Sequence, residues 1–295
     1  MTGPVTTSAA PETGRLSFSG LVGWAEDDLS AALAAFRLNP GDPLCEAAKD
    51  AADARAFFET HFRPATGIAG HFTGYFEPEL EGSLVLSGDF PVPLHRLPPN
   101  GCTLPRDRID EACATEAFVW LRDEVDRFFL QVQGSGRIRL PDGQTLRVGF
   151  AGRNGHPYRS IGKLLIERGV FGDDITADAL RDWLREDPER GRAVMNENPS
   201  YVFFAPRDGE AGPIGTLGCP VTPGRTLAVD PAHCPLGTPV WIEVDGRACL
   251  CVAQDTGSAI KGPGRADLFC GTGAEAGRVA GRLNHAGRFT PLVRR

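Results

Sequence analysis

Glycine and proline are frequent and are spread along the whole chain, and this constrains the fold more than any other feature of the sequence. The 295 residues include 36 Gly and 24 Pro. Because both residue types interrupt regular elements and form tight turns, their spread predicts many short strands and argues against a helical bundle. A chain of this length can bury the cores of two modest domains or of one large domain.

The overall composition is ordinary for a soluble globular protein, with 41% hydrophobic and 23% charged residues. The formal net charge of -7, without a long Lys/Arg block, argues against a nucleic-acid partner. No run of about eighteen apolar residues is present, so no membrane-spanning helix is predicted. The N-terminal stretch MTGPVTTSAAPETGR shows neither a signal peptide nor a lipid-accepting cysteine behind an apolar leader.

Neither the eight cysteines nor the six histidines suggest a metal site, and no cofactor is expected. The cysteines form no CxxC pair, the histidines lack ligand spacing, and most cysteines are interpreted as small buried residues. Cys102 and Cys113 flank a short polar loop and could form a disulfide in an oxidising compartment. Cys249 and Cys251 lie in an apolar, strand-like run, and we expect them to point to opposite faces.

Local patterns predict the secondary structure, with helices in several places and strands dominating the C-terminal third. Apolar residues recur at helical spacing behind cap-like residues in 27–38, 43–62, 160–168 and 176–186, and 274–283 is predicted as a short helix. The stretch 67–82 reads as a strand followed by a turn. RFFLQVQGSGRIRL reads as two strand-like runs around a Gly-Ser-Gly turn, and RIRLPDGQTLRVGF as a hairpin. Short strands are predicted for YVFFA, PVWIEV, ACLCVAQ and FTPLV, with a turn at 245–246 between the second and third.

Three aspartates in the C-terminal third follow apolar, strand-like runs: Asp230 in TLAVDPAHCPLGTPV, Asp255 in CVAQDTGSAIKGPG and Asp267 in GRADLFCGTG. A carboxylate at a strand end is rigidly held and partly desolvated, which raises its pKa toward that of a useful general acid. Turn formation is the alternative interpretation for Asp230, which precedes proline, and for Asp255, which precedes a Thr-Gly-Ser turn. Asp267 is followed by apolar residues, so we predict it as the catalytic candidate.

Five ordered segments carry a resemblance to a known family. They are TGYFEPELEGS, VQGSGRIRLPDGQTLRVGFAGRNGHPYRSIG, NPSYVFF, GTLGCPVTPGRTLAVDPAHCPLGTPVW and AQDTGSAIKGPGRADLFCGTG. From about Gly67 to the C-terminus, the chain resembles the membrane-bound lytic murein transglycosylase A (MltA) family. Five ordered motifs of this length are far more specific than a single short motif.

The resemblance implies a fold that is mainly β with some α. It would be a double-psi β-barrel, similar to barwin, expansins and some endoglucanases, with an inserted second β-domain and a groove between the two. The implied organisation is a disordered lead-in at 1–15, a barrel domain formed by 16–81 plus 209–295, and an insert at 82–208. Within the barrel, a 3D domain, named for its three aspartates, would occupy about 225–293.

The resemblance also implies a lytic exotransglycosylase that cleaves the MurNAc-GlcNAc β-1,4 bond of peptidoglycan without water, leaving 1,6-anhydro-muramoyl ends. Asp267 matches the single catalytic acid, Asp255 a companion that orients neighbouring groups, and Asp230 the more structural first aspartate. One carboxyl, acting first as acid and then as base, suffices because the C6 hydroxyl attacks C1 of its own sugar. The implied partner is the peptidoglycan glycan strand, for a monomer in the periplasm with outer-membrane association in the family. The preferred glycan end and the mode of attachment stay open.

Further groove residues are expected to bind sugar hydroxyls or acetamides. They are Thr73, Tyr75, Gln133, Ser135 and Lys261, together with Asp230, although a tyrosine in a strand is more often part of a core. The loop KGPGRAD, which ends at Asp267, differs from that of some relatives, which have a different loop length and His-Phe before the aspartate. The residues that contact Asp267 are therefore not predicted.

Two other functions are compatible with the sequence, and the neighbouring acids Glu77 and Glu79 offer a second candidate for a catalytic pair. A glycoside hydrolase on the same barrel would use Asp255 to activate water opposite Asp267. A non-catalytic peptidoglycan-binding module would need neither carboxyl. Glu77 and Glu79 resemble a catalytic pair, but we expect them to form the solvated edge of a strand.

Overall fold

The computed structural model describes residues 17–209 and 212–295, so the predicted lead-in at 1–15 lies outside the described residues. The helices are α1 (Leu29–Phe36), α2 (Leu44–Asp50), α3 (Ala54–His61), α4 (Ile109–Ala112), α5 (Glu124–Gln133), α6 (Ile161–Glu167), α7 (Ala177–Glu186), α8 (Pro188–Asn196) and α9 (Gly273–Arg282). The strands are β1 (Phe62–Pro64), β2 (Ile68–Glu77), β3 (Glu79–Ser83), β4 (Val92–His95), β5 (Ala117–Leu121), β6 (Ser135–Arg139), β7 (Thr145–Arg153), β8 (Val202–Arg207), β9 (Thr226–Val229), β10 (Pro239–Val244), β11 (Arg247–Asp255), β12 (Arg265–Thr272) and β13 (Asn284–Arg294).

The first sheet closes into a barrel. Its strand order is β1-β13-β10-β11-β9-β12-β2, and β13 also pairs with β2, which closes the ring. The β9–β11 and β2–β12 pairs are parallel, whereas the other pairs are antiparallel. The barrel therefore combines one N-terminal strand with five C-terminal strands, and closure leaves β2 and β12 side by side without a free edge between them.

Apolar side chains fill the barrel and cover one side of it. Residues that alternate along the strands, such as Phe72, Leu227 and Ile242, form the internal cluster. A second cluster joins α1, α2 and α3 to the outside of the barrel through Trp241. Trp24 packs edge-on against Trp241, with ring centroids 5.2 Å apart. The N-terminal helices therefore stabilise the barrel from outside.

The second sheet has the order β4-β5-β3-β6-β7-β8 and is formed by residues that lie between β2 and β9 in the chain. One of its faces packs in a cluster that includes Ile138, Val148 and Phe204. Helices α5 to α8 contribute a further cluster around Phe128. The predicted fold class, a mainly β protein with a barrel and an inserted β-domain, is confirmed, whereas the domain boundaries stay a prediction.

Most of the predicted helices and hairpins are present. Asp28 begins α1 by accepting a hydrogen bond from Ser30 N, and Thr176 begins α7 by accepting one from Ala179 N. The 43–62 stretch forms two helices, α2 and α3, followed by the start of β1. The hairpins β6–β7 and β10–β11 are antiparallel, as predicted. Within the described ranges, no helix has the length and apolar character needed to cross a membrane.

Three local predictions are wrong. The run before Gly134 is the helix α5 and not a strand, because Asp123 caps its first turn and Gly134 ends it with φ +80°. The stretch after β2 forms the strand β3 of the second sheet where a turn was predicted. Cys249 and Cys251 point to the same face, with Sγ atoms 3.8 Å apart, because residues two apart in a strand share a face.

The predicted disulfide between Cys102 and Cys113 stays a prediction. The two residues are free thiols in this structure, and their Sγ atoms lie 3.8 Å apart.

Candidate active site

The parallel pairing of β2 with β12 places Thr73 directly beside Asp267. The Thr73 hydroxyl donates a hydrogen bond of 2.7 Å to Asp267 Oδ1, although 194 positions separate the two residues. Helix α9 holds β2 from the other side, since a Cβ at Gly74 would lie 2.7 Å from Ala280 Cα. The carboxyl of Asp267 is therefore presented by two strands of the barrel and not by a free loop.

Arg265 completes this arrangement, and the sequence interpretation had not singled it out. Its Nη2 donates to Thr73 Oγ1 at 2.8 Å, and its Nη1 donates to the carbonyl of Ala266 at 2.6 Å. A hydroxyl that accepts from a guanidinium directs its single proton elsewhere, here to Asp267 Oδ1. When Asp267 is protonated, its own proton is therefore carried by Oδ2.

The surroundings of Asp267 adjust its acidity. Burial raises the pKa of its carboxyl to about 6, and the charge of Asp255 also raises it. The hydrogen bond from Thr73 and the charge of Arg265 oppose this increase. Because the pKa is close to neutral pH, the carboxyl can both release and accept a proton under ordinary conditions.

The carboxylate of Asp255 lies near that of Asp267, but both of its oxygens accept hydrogen bonds from protein groups. Its Oδ1 accepts hydrogen bonds from Thr216 N (2.9 Å), Thr216 Oγ1 (3.0 Å) and Thr256 N (2.8 Å). Its Oδ2 accepts one from the Tyr75 hydroxyl at 3.0 Å. Burial raises the pKa of Asp255, and these hydrogen bonds act against that increase. Burial and the neighbouring Asp255 also hold the pKa of Tyr75 well above its usual value, so Tyr75 stays a hydroxyl donor.

Asp230 and Lys261 form a separate pair beyond this group. Asp230 accepts hydrogen bonds from Gly262 N (2.9 Å) and Ala232 N (3.2 Å), and the Nζ of the exposed Lys261 lies 3.9 Å from its Oδ1. The N–H of Gly262 lowers the pKa of Asp230. Asp230 therefore fixes the loop before β12, which favours its structural interpretation.

Gln133 and Ser135 lie where the two sheets meet. Gln133 Oε1 accepts a hydrogen bond of 3.0 Å from Phe76 N on β2, and Ser135 begins β6. Glu77 was expected at a solvated edge and is instead fully buried, where the hydrogen bond of 2.8 Å from Arg137 Nε to its carboxylate offsets the cost of burying the charge. Glu79 is exposed, as expected.

The structure therefore brings four of the predicted residues together as two neighbouring hydrogen-bonded pairs, Thr73 with Asp267 and Tyr75 with Asp255. It adds Arg265, Thr216 and Thr256, whose roles depend on pairings that the sequence alone does not reveal. Among residues 17–209 and 212–295, no three His, Cys, Asp or Glu side chains cluster closely enough to hold a metal ion. This group can therefore carry out acid–base chemistry through the carboxyl of Asp267, which has a raised pKa and is held in one orientation by the Thr73 hydroxyl.

Two family models match the chain. The MltA specific insert domain matches residues 103–205, and the 3D domain matches residues 225–293, which include all three aspartates. The membrane-bound lytic murein transglycosylase A of Escherichia coli K12 is 37% identical over 239 residues, which span 75% of this chain and 65% of that protein. The match thus covers slightly less than two thirds of the length of this curated relative.

Solved structures agree with the sequence comparison. A membrane-bound lytic murein transglycosylase from Agrobacterium tumefaciens superposes with a TM-score of 0.85 at 32% identity, covering 95% of this chain and 97% of that one. The E. coli MltA with bound chitohexaose gives 0.78 at 28% identity, covering 99% and 95%. The barrel, the insert and the aspartate group define a 3D-domain protein with an MltA specific insert domain. The chain belongs to the membrane-bound lytic murein transglycosylase A family.

Proposed function

We propose that this protein is a lytic transglycosylase that cleaves the MurNAc-GlcNAc β-1,4 bond of peptidoglycan and leaves 1,6-anhydro-muramoyl ends. The observation that carries the proposal is the carboxyl of Asp267, which has a pKa of about 6 and is fixed by Thr73 on the neighbouring barrel strand. Support for the substrate class comes from the E. coli relative with bound chitohexaose, a β-linked oligosaccharide of N-acetylglucosamine.

In the proposed reaction, Asp267 acts twice. Its proton on Oδ2 passes to the glycosidic oxygen as the bond to C1 of the muramoyl residue breaks, and the N-acetylglucosamine unit leaves with a new hydroxyl. The C6 hydroxyl of the same muramoyl residue then bonds to C1 and gives its proton to the ionised carboxylate. Because both reacting atoms belong to one sugar, no water enters and the entropic barrier is reduced. The Thr73 hydroxyl stabilises the carboxylate between the two steps.

The rival hydrolase would use Asp255 to activate water, and the contacts of Asp255 favour the proposal over this rival. Four hydrogen bonds from protein groups already occupy its two oxygens. Three of these bonds end on Oδ1 and one on Oδ2, so only one lone pair, on Oδ2, remains to accept a proton from water. Asp255 is better suited to hold Tyr75 and the 216 loop in place.

Product analysis tests the proposed function. Purified sacculi digested in ¹⁸O-labelled water are expected to yield fragments that are one water lighter than hydrolytic products, carry no ¹⁸O and resist borohydride reduction at the muramoyl end. A muramidase that hydrolyses the same bond serves as the control and gives labelled, reducible ends. Labelled ends from this protein would identify a hydrolase, and a lack of released fragments would identify a binding module.

The Thr73→Val variant tests the acid–base assignment through the pH profile. The cleavage rate falls as the pH rises through the pKa of Asp267, since the first step needs the protonated acid. Thr73 lowers that pKa, so its removal is expected to move the basic limb of the profile to higher pH. Thr73→Ser keeps the hydroxyl and should leave the limb in place. A downward shift in Thr73→Val, or equal shifts in both variants, would contradict the assignment.

We extend the proposal to the cellular location. The relatives are named as membrane-bound enzymes, which supports a site of action in the periplasm at the outer membrane. Monomeric action on the glycan strands and release of units from a strand end belong to the same proposal, and cell fractionation is the test of the location.

A further inference from the structure

Three arginines lie side by side across the second sheet. Arg137 on β6 is directly opposite Arg147 on β7, which is directly opposite Arg207 on β8. We call these three residues the arginine row. The adjacent residues Ile138 and Val148 point into the apolar core, so the row lies on the opposite face of the sheet. Like charges directly opposite each other destabilise a sheet, so this placement requires an explanation.

Carboxylates in the described part of the chain only partly balance the arginine row. Glu77 bonds to Arg137 Nε at 2.8 Å and lies 3.7 Å from Arg147 Nη2. Glu79 is in register with Arg137, but its carboxylate lies toward Gly273 at the start of α9. The bond that Arg207 makes to a described residue is to a neutral acceptor, the carbonyl of Phe150. Among the described residues, the carboxylate of Glu77 therefore lies within ion-pair distance of two of the three guanidinium groups, those of Arg137 and Arg147, and no described carboxylate lies within that distance of Arg207.

The backbone beside the row gives the side chain of Arg207 space over β7. A Cβ at Gly149 would lie 2.9 Å from Arg207 Nε, so a larger residue here would displace the arginine side chain from its place over β7. Ser135 is opposite Gly149 on the other side and adds a hydroxyl. Arg147 donates a hydrogen bond of 2.8 Å from Nη1 to the carbonyl of Gly209, whereas its buried Nε has no hydrogen-bond partner among the described residues. Planar guanidinium groups of this kind match the two oxygens of a carboxylate.

The row lies within reach of a substituent on a sugar bound at Asp267. Glu77, which lies against Arg137 and Arg147, is the last residue of the strand β2 that carries Thr73. It also accepts a hydrogen bond from Thr272 at the end of β12. From Thr73 to Glu77, β2 extends by about 13 Å at roughly 3.3 Å per residue. An extended peptide advances by a similar 3.3–3.6 Å or so per residue. A peptide of several residues attached to a sugar beside Asp267 is therefore long enough to bring a carboxylate to the row.

We propose that the arginine row binds a carboxylate of the peptide stem carried by the muramoyl residues, so that peptide-bearing strands are the preferred substrate. This inference rests on the proposed function for its substrate and adds a second recognition site to it. The row contributes to substrate binding and takes no part in proton transfer.

Kinetics on two forms of one substrate test the inference. Glycan strands from sacculi are used either intact or after an amidase has removed the peptides. Arg207→Gln is expected to raise KM about tenfold on peptide-bearing strands, because a charge-assisted hydrogen bond is lost, and to leave kcat and the stripped strands unaffected. Arg139→Gln is the matched control, since Arg139 is an exposed arginine on the same face of β6 that pairs with Glu81. Equal effects on both substrates, or equal effects of both variants, would overturn the inference.

A binding measurement decides the inference without turnover. Calorimetry on the Asp267→Asn protein uses a muramoyl-peptide fragment and the same fragment with its peptide carboxylates amidated. The additional change Arg207→Gln is expected to weaken binding of the free acid about tenfold and to leave binding of the amidated form unchanged. If the free acid and the amidated form bind equally well, the row does not recognise a carboxylate. This result is independent of whether product analysis supports transglycosylation, so failure of the proposed function and failure of the inference are distinguishable.

Discussion

The Asp267→Asn variant is expected to lose roughly 10³-fold or more of its peptidoglycan-cleaving activity while it keeps its fold. The carboxamide can still accept the hydrogen bond from Thr73 through its oxygen. It cannot donate an acidic proton to the leaving oxygen or accept the proton of the C6 hydroxyl. Release of soluble fragments from purified sacculi measures the rate, and thermal unfolding of the same preparation measures the fold.

Asp245→Asn is the matched control for this prediction. Asp245 is exposed in the turn between β10 and β11, where its φ of +50° suits asparagine. This variant removes the same charge from the same domain and should keep wild-type activity. An Asp267→Asn protein that retains most of its activity would show that another group transfers the proton, and the proposed mechanism would then be wrong.

Replacing Asp255 by alanine is expected to lower the cleavage rate by about 10²-fold, through loss of positioning. The truncation leaves the N–H groups of Thr216 and Thr256 and the hydroxyl of Tyr75 without their acceptor. Asp255→Asn is the conservative companion, because its oxygen can still accept from the two threonines and its amide can donate to Tyr75. This variant should keep much more activity than the alanine variant.

The pH profile of Asp255→Asn adds a readout that a purely structural role would not change. The charge of Asp255 raises the pKa of Asp267, so its removal should move the basic limb of the profile to lower pH, opposite to the effect of Thr73→Val. The products should keep their anhydro ends. Two results together would contradict this prediction: an Asp255→Asn variant as inactive as Asp267→Asn, and hydrolytic products from the wild-type protein. Asp255 would then be the base of a hydrolase.

Local signals correctly predicted many of the elements and the residues at their ends. Asp28 and Thr176 cap helices as their residue types and positions suggested. The error over α5 arose because the apolar run before Gly134 was interpreted as a strand, although two helix signals were also present, the capping Asp123 and the terminal Gly134. That part of the fold was therefore predictable from the sequence. The error over Cys249 and Cys251 was one of geometry, since residues two apart in a strand share a face.

The sequence predicted individual residues of the candidate site but not the contacts between them. Asp267 is followed by apolar residues, and a carboxyl in such a place indicated a function. Asp255 was expected to orient neighbouring groups. Arg265 was missed, although it lies two residues before Asp267, because its importance comes from a bond to Thr73 on another strand. Glu77 was misjudged for a similar reason, since its partner Arg137 lies 60 positions away.

The sequence by itself determined where the chain turns, where most helices begin and that Asp230 and Asp255 lie at the ends of apolar strands. The same expectation was wrong for Asp267, which is the third residue of β12. These properties depend on dihedral preferences, capping and side-chain alternation over a few neighbouring residues. Only the tertiary structure decided that Thr73 bonds to Asp267 across 194 positions, that Tyr75 bonds to Asp255 across 180, and that three arginines align across one sheet. Barrel closure and strand register set these contacts, and with them the burial that raises the pKa of Asp267 to about 6.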